Sequence, residues 1–432
     1  TSPSITSSYI GAHIESGTFN FYDGIIKGKY EDSTGYSISG TVSDKPTGYD
    51  VQKTVSGSTE TAILVSIYNY GEYNGSTLVN RYETLAEAFS GATSGNTIKP
   101  LKNNIEDESA SNPTVASGKT LTLGLNGKTV TMSKTITNNG TLTISGSGKI
   151  TASGVHTISN YGTFTKSGTS TIENTADDKY VIYSEGTVTI SAGTVSSTNY
   201  RAISNHGTLT VSGGTVSATG LAIYNVGTGS TTSSPAVKVS GGTVTSSDSQ
   251  AIYHNSTGLV YLTGGTVSQT GSNAVVYNKS TGAIKVSGGT ISGTGAPCIR
   301  NCTTGSVTVT SGTLTSSSGT GIYNDSTGTI TVSGGTITGT NGIYNNGSGA
   351  TITVTGGTLY ASTYHGISDE GGATITLGDN DGSVSTTSPS ITGTNYGVRI
   401  VSGGTFNFYD GIIKGKYESN TGYSISGTVS DT

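Results

Sequence analysis

The sequence predicts an all-β protein built as a parallel β-solenoid. Three observations support this prediction. Glycine makes up 66 of the 432 residues, and Ser and Thr dominate much of the remainder. The apolar residues are mostly Val, Ile and Leu and recur at fixed positions. This regular spacing argues against a disordered low-complexity chain. One unit containing three short alternating segments also recurs along most of the chain.

The repeat has three parts. The first is a small residue, then Ile or Val, often Tyr, and then Asn, as in AIYN at residues 222–225. The second is a TxTV segment such as TLTV at 208–211, and the third is SGGTV or a variant, as at 212–216. The apolar residue of the first part recurs every 20 to 31 residues, in the row Ile136, Ile158, Ile182, Ile203, Ile223, Ile252, Val276, Ile299, Ile322, Ile343, Ile367 and Val398.

Each unit therefore holds three period-two strands separated by Gly, Asn or Ser. A unit of roughly 22 residues is too long for a hairpin and too short for a βαβ unit. It fits one coil of a solenoid with three strands per coil. About 13 coils stacked about 4.8 Å apart would give a rod of roughly 60 Å.

The side-chain pattern suits such stacking. In TLTV, the Leu and Val point inward and the two Thr point outward. The Gly-Gly pairs allow positive φ at the corners. An Asn follows the first strand in many coils, and stacked amides can hydrogen-bond between coils. This predicts a structural asparagine ladder of Asn160, Asn205, Asn225, Asn278, Asn301, Asn324 and Asn345.

Residues 47–95 break the repeat. The segments YDVQKTVSG and STETAILVSIYNYG predict a small β-hairpin insert. The segment ETLAEAFSGATSG predicts a short helix, with Thr84 and Glu87 forming a capping box and Gly91 ending it. A helix just before the first coil is placed to cover the open end of the solenoid core.

The stretch GTFNFYDGIIKGKYE occurs at residues 17–31 and again at 404–418. Positions 17–44 match 404–431 at all but two places, 32/419 and 33/420. The expected organisation is residues 1–46 as terminal coils of a preceding tandem unit, 47–95 as hairpin, linker and capping helix, and 96–432 as the solenoid. The second copy would be its last coil, in a unit of about 386 residues cut from a longer array.

The stretches YETLAEAFSGATSGNTIKPLKN, GKTLTLGLNGKTVTM and NNGTLTISGSGKI are similar to those of repeat-rich bacterial cell-surface proteins with pectate-lyase-like β-helices. The later SGGTV and NFYDGIIKG stretches resemble modules of the same proteins, so the similarity spans about residues 80–432. The resemblance implies a right-handed β-helix on a cell surface or in an extracellular assembly. It supplies no catalytic residues.

Composition argues against several classes of protein. The net charge is −5 and charged residues are 11%, with no basic stripe of the kind that nucleic acid binding needs. No run of eighteen apolar residues predicts a membrane span, and no signal peptide is recognised. Thr1 is not a natural start, so we expect an excised or processed segment. Two Cys, few charges and many hydroxyls favour an extracellular location.

An enzyme on this fold is one alternative. Polysaccharide lyases and hydrolases need clustered carboxylates on one outward face, whereas the outward positions here are mostly Thr, Ser, Tyr, Asn and Gly. We therefore predict no catalytic residues and no cofactor. Asp379 and Asp381 in GDNDGS are a weak calcium candidate without the distant Glu of a full loop, and no metal site is predicted.

Cys298 and Cys302 flank the IRN strand. An extended strand holds them about 13 Å apart, so a disulfide needs a sharp turn at Asn301. Both a disulfide and two separate thiols remain open. The five His residues show no cluster spacing and are interpreted as ordinary polar surface.

The outward aromatic row is the strongest candidate for contacts. It comprises Tyr183, Tyr224, Tyr253, Tyr277, Tyr323 and Tyr344. Stacking between coils explains it structurally. A surface for glycans, a host ligand or a neighbouring rod is the functional alternative, with Ser and Arg interrupting the row.

The expected function is a non-enzymatic extracellular structural repeat protein that forms a stiff stalk or filament. Self-association end to end or laterally as a fibre is the expected partnership. The alternatives are a glycan- or host-binding adhesin module and, further, a polysaccharide lyase or hydrolase. We expect neither nucleic acid binding nor membrane insertion by this segment.

Overall fold

The computed structural model describes residues 4–14, 18–31, 34–45, 48–401, 403–418, 421–422 and 425–426. The chain folds as a right-handed parallel β-solenoid, as predicted, and these residues include a single short helix. It has about 17 turns rather than 13. The count was low because the row of aligned residues begins at Ile136 and ends at Val398, whereas turns also form before and after it.

One sheet contains the strands that carry the recurring Asn. It has 14 parallel strands, each from a different coil. The strands are Thr114–Val115, Ile136–Asn138, Ile158–Asn160, Ile182–Ser184, Ile203–Asn205, Ile223–Asn225, Ile252–His254, Val276–Asn278, Ile299–Asn301, Ile322–Asn324, Ile343–Asn345, Ile367–Asp369, Val398–Ile400 and Ile425–Ser426.

The second sheet is formed by the other two strands of each coil. The TxTV row contains Thr97–Pro100, Thr120–Gly124, Thr141–Ser145, Thr163–Lys166, Thr187–Ile190, Thr208–Val211, Val237–Val239, Thr374–Leu377 and Thr405–Phe408. The SGGTV row contains Asn104–Asp107, Lys128–Met132, Gly148–Ala152, Thr171–Asn174, Thr194–Ser197, Thr215–Ala218, Thr243–Ser246, Ser390–Thr392 and Ile412–Lys414. In the central coils both rows merge into Leu259–Gln269, Ala283–Gly293, Val307–Ser316, Thr329–Gly339 and Thr351–Ala361.

Alternation within each strand separates the core from the surface. Val188 pairs with Leu209 and Ile190 with Val211 in neighbouring coils, and all four side chains are buried. Burying one such side chain contributes about 1.5–3 kcal/mol. Apolar side chains stack in the same way in most coils, so a single apolar core runs through the solenoid.

The Gly-Gly corners are required on two grounds. A Cβ on Gly241 would lie 2.3 Å from the Ser212 carbonyl oxygen of the preceding coil. Gly242 has φ of 68°, in the left-handed region that favours glycine. The first glycine therefore permits close stacking, and the second permits the turn.

The start of the solenoid is closed as predicted. The helix Leu85–Gly91 begins after the capping box of Thr84 and Glu87, and Leu85, Ala88 and Phe89 are buried in the solenoid core. The predicted hairpin is Tyr49–Ser56 paired antiparallel with Thr59–Ser66.

A second hairpin, Tyr70–Asn74 with Thr77–Tyr82, was not predicted. It adds antiparallel to the first solenoid strand Thr97–Pro100. Two buried carboxylates attach these capping elements. Asp107 accepts from the Tyr70 hydroxyl at 2.8 Å and from the Leu85 amide at 2.9 Å.

The other buried carboxylate is Glu72. It accepts from the Thr93 amide and the Asn96 side chain, each at 2.7 Å, and from the Tyr82 hydroxyl at 2.8 Å. Burial opposes ionisation, but these three donors outweigh it and lower the pKa of Glu72. The capping hairpin and the first coil are therefore joined through a charged group.

The N-terminal copy of the duplicated segment forms its own small unit. Its strands are Ser4–Thr6, Ala12–His13, Ile25–Glu31, Thr34–Gly35 and Ile38–Ser39. Phe21, Ile26, Ile38 and Ala62 form a buried cluster distinct from the solenoid core. The corresponding strands of the C-terminal copy include the short pair Tyr417–Glu418 and Thr421–Gly422. Within the described residues, no helix is long and apolar enough to cross a membrane.

Candidate functional site

A line of buried polar side chains runs along the solenoid, with one member at the end of each Asn-bearing strand. The predicted Asn residues are all in it, and the amide nitrogen of one donates to the side-chain oxygen of the next across 2.6–2.9 Å. We call this line the asparagine ladder. Its members are Asn138, Asn160, Ser184, Asn205, Asn225, His254, Asn278, Asn301, Asn324, Asn345 and Asp369.

The same amides also hold the loop that follows each strand. In N-x-G loops, the amide donates to the carbonyl two residues later, as Asn345 does to Gly347 at 2.9 Å. In N-x-[ST]-T-G loops it donates to the carbonyl four residues later, as Asn278 does to Gly282 at 2.8 Å. The ladder therefore supports both the stacking of coils and the path of the loops that follow these strands.

The ladder is interrupted twice. Asn160 donates to Ser184 Oγ at 3.0 Å, but Ser184 donates to the Gly186 carbonyl. The side-chain oxygen of Asn205, in the next coil, has no hydrogen-bond partner among the described atoms. The shorter serine side chain therefore breaks the line.

The second interruption is His254. The prediction that it lies on the polar surface is wrong, because it is fully buried. Its Nδ1 receives the Asn225 amide at 2.9 Å, and its Nε2 lies 2.9 Å from the Gly258 carbonyl. Burial lowers the pKa of His254, which favours the neutral ring that this arrangement needs. The side-chain oxygen of Asn278 in the next coil has no partner among the described atoms.

Asp369 ends the ladder. It accepts from the Asn345 amide at 2.8 Å, and its other oxygen accepts from the Ala373 amide at 2.8 Å. The next strand residue in register is Ile400, which offers no side-chain acceptor. A carboxylate suits this position because it needs no onward acceptor.

The outward row forms a second line, which we call the tyrosine ladder: Tyr224, Tyr253, Tyr277, Arg300, Tyr323 and Tyr344. The predicted Tyr residues in it stack with ring centroids 5.0–5.6 Å apart. The pKa of Tyr277 and that of Tyr323 are raised to about 12, chiefly by burial, so these hydroxyls stay protonated at neutral pH.

Arg300 bridges the ladder where the sequence indicated a gap. Its guanidinium carbon lies 5.8 Å from the Tyr277 ring centroid and 5.3 Å from that of Tyr323. Asp325 holds it through an ion pair of 2.6 Å. A cation replaces the missing ring because the faces of aromatic rings attract positive charge.

Tyr183 lies apart from the tyrosine ladder. In register it is flanked by Ser159 and Ser204. Its hydroxyl donates to Glu185 at 2.7 Å, and that bond is the main cause that raises its pKa to about 12. Its ring contacts His206, with centroids 4.9 Å apart.

An open groove adjoins the first rung of the tyrosine ladder. It has a volume of about 470 Å³ and is lined by Tyr200, Arg201, Gly220, Leu221, Tyr224, Ser249, Gln250 and Tyr253. We call it the aromatic groove. The Arg201 guanidinium carbon lies 4.5 Å from the Tyr224 centroid and 4.9 Å from that of Tyr200. Three consecutive coils contribute. Gly220 allows two of them to pack closely, because a Cβ there would lie 2.2 Å from the Tyr200 carbonyl oxygen.

The two cysteines are free thiols. Cys298 is buried and Cys302 is half-buried, at opposite ends of the extended strand Ile299–Asn301. Burial raises the pKa of Cys298 to about 12. Cys302 Sγ lies 3.6 Å from an Asp325 carboxylate oxygen. The strand geometry thus gives separate thiols, one of the two arrangements left open.

Asp379 and Asp381 converge with Asp410, a residue outside the sequence prediction. Ligand oxygens of the three lie within 4.8 Å of one another. Asp410 is buried and accepts from the Ser385 amide, whereas Asp381 accepts from the Ser383 amide at 2.9 Å and its hydroxyl at 2.7 Å. Such oxygens could hold a hard cation such as Ca²⁺.

Lys166 occupies a core position that sequence reasoning missed. It lies between Ile144 and Ile190 in the stacked row and is fully buried. Its Nζ donates to the carbonyls of Gly168, Ser167 and Ala192 at 3.0–3.2 Å. Burial lowers its pKa to about 8. The only signal in the sequence is a lysine where the TxTV segment has an apolar residue.

No protein family, curated protein or solved structure shows significant similarity to the chain.

Proposed function

We propose that the chain is a non-enzymatic, extracellular structural repeat protein, and that its solenoid is a stiff segment of a stalk or filament on a bacterial cell surface. The observation that carries this proposal is the unbroken parallel pairing of coil on coil. The Asn-bearing sheet alone links 14 strands from Thr114 to Ser426. At about 4.8 Å per coil, about 17 turns give a rod of about 80 Å.

The two side-chain ladders support rigidity. Bending or slipping one coil against the next would break a backbone pair, an amide–amide bond and a ring stack together, as at Tyr323 and Asn324 facing Tyr344 and Asn345. In a repeat protein, each coil is stabilised by its neighbours alone, so strong nearest-neighbour contacts determine stiffness.

The exterior also suits an extracellular stalk. Charged residues are 11% of the chain. Several of those on the coils are paired with opposite charges, as Arg399 is with Glu370 and Lys149 with Glu173 at 2.9 Å. Outward hydroxyls such as Thr187 and Thr208 hydrogen-bond between coils at 3.2 Å. A hydroxyl-rich surface of low net charge stays hydrated without attracting polyelectrolytes.

Electron microscopy tests the proposal. A two-unit chain, in which residues 45–432 follow Asp431, is compared with the single chain. Particle length should about double with little change in width. Compact two-unit particles, or particles whose two units are flexibly linked with no fixed relative orientation, would contradict the rod.

The aromatic groove favours a second candidate, a glycan-binding adhesin module. Aromatic faces stack on the apolar faces of sugar rings, and Arg201, Ser249 and Gln250 could bind hydroxyls. A glycan array compares the chain with Tyr200→Ser/Tyr253→Ser, using Tyr344→Ser as the matched control. Binding that the groove variant retains would reject this candidate. Cleaved oligosaccharides in the same assay would favour the lyase or hydrolase alternative.

A further inference from the structure

The two copies of the duplicated segment fold with the same strand pairings. Ile25–Glu31 pairs parallel with Ser4–Thr6, which places Ile26 opposite Ile5. Ile412–Lys414 pairs parallel with Ser390–Thr392, which places Ile413 opposite Ile391. Corresponding turns also match, since Tyr30 pairs with Gly35 and Tyr417 with Gly422. Identical sequence therefore builds the same strand and presents the same outer edge.

In the N-terminal copy that edge is covered. The hairpin strand Thr59–Ser66 adds antiparallel to it, with five paired residues from Ile25 opposite Ile63 to Lys29 opposite Thr59. Ala62 is buried against Ile26 in the cluster below. The hairpin strand thus pairs with the strand edge and also covers the apolar side chain of Ile26.

Polar contacts of the hairpin reinforce this pairing. The buried carboxylate of Glu60 accepts from the Ser37 amide at 3.0 Å and from its hydroxyl. Lys53 lies 3.4 Å from Glu60 and donates to the Ile38 carbonyl at 2.7 Å. Both contacted residues lie in the duplicated segment, so they are part of the surface that the hairpin recognises.

In the C-terminal copy the same edge is open. Among the described residues, Ile412–Lys414 pairs with Ser390–Thr392 and with no strand on its other side. Ile413 is half-buried, whereas Ile26 is 2% exposed. The hairpin begins five residues after Asp44, whereas the counterpart Asp431 is followed by one residue in the given sequence.

Phe408 shows the same contrast, being 39% exposed where Phe21 is 4% exposed. Residues Ser43 and Asp44 provide part of the cover over Phe21. The Ser43 amide donates to the Phe19 carbonyl, and the Phe21 amide donates to the Asp44 carbonyl. The exposure of Ile413 is therefore the difference that a bound hairpin would remove, and Phe408 adds apolar area at the same end. Open strand edges with adjacent apolar surface are sites where another strand adds.

We propose that the outer edge of residues 412–416 is a docking surface for a second copy of the hairpin Tyr49–Ser66, supplied by the following unit of a head-to-tail array. Its strand adds antiparallel, so the counterpart of Ile63 lies opposite Ile412 and that of Thr59 opposite Lys416. The counterpart of Lys53 donates to the Ile425 carbonyl. This inference rests on the proposed rod and names the residues of its joint.

The joint is a sheet-edge contact that leaves each solenoid core closed. The cluster of Phe21, Ile26, Ile38 and Ala62 is separate from the core that begins at Tyr70 and the capping helix. Units are therefore joined through a hairpin, and the coils of one unit do not stack directly on those of the next.

Hydrogen–deuterium exchange tests the joint. The chain 1–431 is extended by a second copy of residues 45–67, and exchange of the Ile413 and Gly415 amides is followed with and without the extension. These two amides face the outer edge, because the Ile412 and Lys416 amides already donate to the Pro389 and Asn395 carbonyls. The docked hairpin should slow their exchange by about tenfold or more, toward the rates of residues 26 and 28. Solenoid amides between residues 136 and 345 should be unchanged, which shows that every chain is folded.

The matched control carries Ala62→Asp in the appended copy alone. A carboxylate at this buried position should prevent docking and restore the fast exchange of the unextended chain. Equal exchange in the extended, control and unextended chains would overturn the joint. That result would leave the length of the one-unit particle unaffected, and an elongated one-unit particle of about 80 Å still supports the rod, so failure of the joint and failure of the rod are distinguished.

Discussion

Asn225 donates its side-chain amide to Nδ1 of His254 across 2.9 Å, and the asparagine ladder is interrupted there. The imidazole N–H donates to the loop carbonyl of Gly258, so no donor is left for the side-chain oxygen of Asn278 in the next coil. A buried acceptor without a partner carries a desolvation cost of about 1–3 kcal/mol. The ladder therefore contains a defect that a single substitution can remove.

The substitution His254→Asn should stabilise the protein by about 1 kcal/mol. The loop after residue 254 reads NSTG and matches the KSTG after Asn278, so an asparagine at 254 can donate both to Gly258 and to the Asn278 oxygen. Urea unfolding at pH 7 measures the change. His206→Asn is the control, because His206 is exposed and lies outside the ladder. A loss of stability in His254→Asn would show that the imidazole volume matters more than the missing bond.

The ladder illustrates what could be predicted from the sequence. The recurring Asn, the Gly-Gly corners and the apolar row each depend on one coil repeating its neighbour, so periodicity alone predicted the fold and seven of the ladder residues. His254 and Ser184 were not recognised as members, because their residue types differ although their loops match. Membership follows from the position in the coil, and only the stacking register reveals it.

Contacts between segments distant in sequence could not be predicted. Asp410 approaches Asp379 and Asp381 because two adjacent coils place them at one corner. Glu72 finds Thr93 and Asn96 because the second hairpin folds onto the first coil. Neither relationship follows a repeat. Five of the six predicted Tyr residues form one row and Tyr183 lies apart from it. Arg300 fills the position in that row that the sequence indicated as a gap, and Arg201 contacts the Tyr224 ring from beside the row.

Glu72 should make the capping region sensitive to acid. Its pKa is lowered in the folded protein, so the stability it contributes is present above the unfolded value near 4.5 and is lost as pH falls below it. Glu72→Gln should cost about 1–3 kcal/mol at pH 7 and much less near pH 3. Denaturant unfolding across this range measures the difference. Glu83→Gln is the control at an exposed site. A cost that does not change with pH would contradict the assigned charge.

The two thiols should differ sharply in reactivity. Cys302 is half-buried at the surface, whereas Cys298 is fully buried and has a pKa near 12. Because the thiolate is the reactive form, the native protein should react with a thiol reagent at about one site. Cys302→Ser should abolish that reaction, and Cys298→Ser should leave it intact. Two equally fast sites would mean that the strand Ile299–Asn301 opens readily, and no reaction under non-reducing conditions would indicate a disulfide.

Lys166 should give the solenoid a stability that increases in alkali. The native pKa of about 8 lies below the ordinary value of 10.5, so between these pH values the unfolded chain binds the proton and the native chain does not. Stability therefore rises with pH across this window, by up to about 3 kcal/mol. The comparison is wild type against Lys166→Met, because tyrosine titration affects both and cancels in the difference. Lys238→Met, at an outward position between Thr210 and Tyr261, is the matched control and should show no such trend. A difference between wild type and Lys166→Met that stays flat from pH 8 to 10.5 would mean that the three carbonyls hold the ammonium charged throughout.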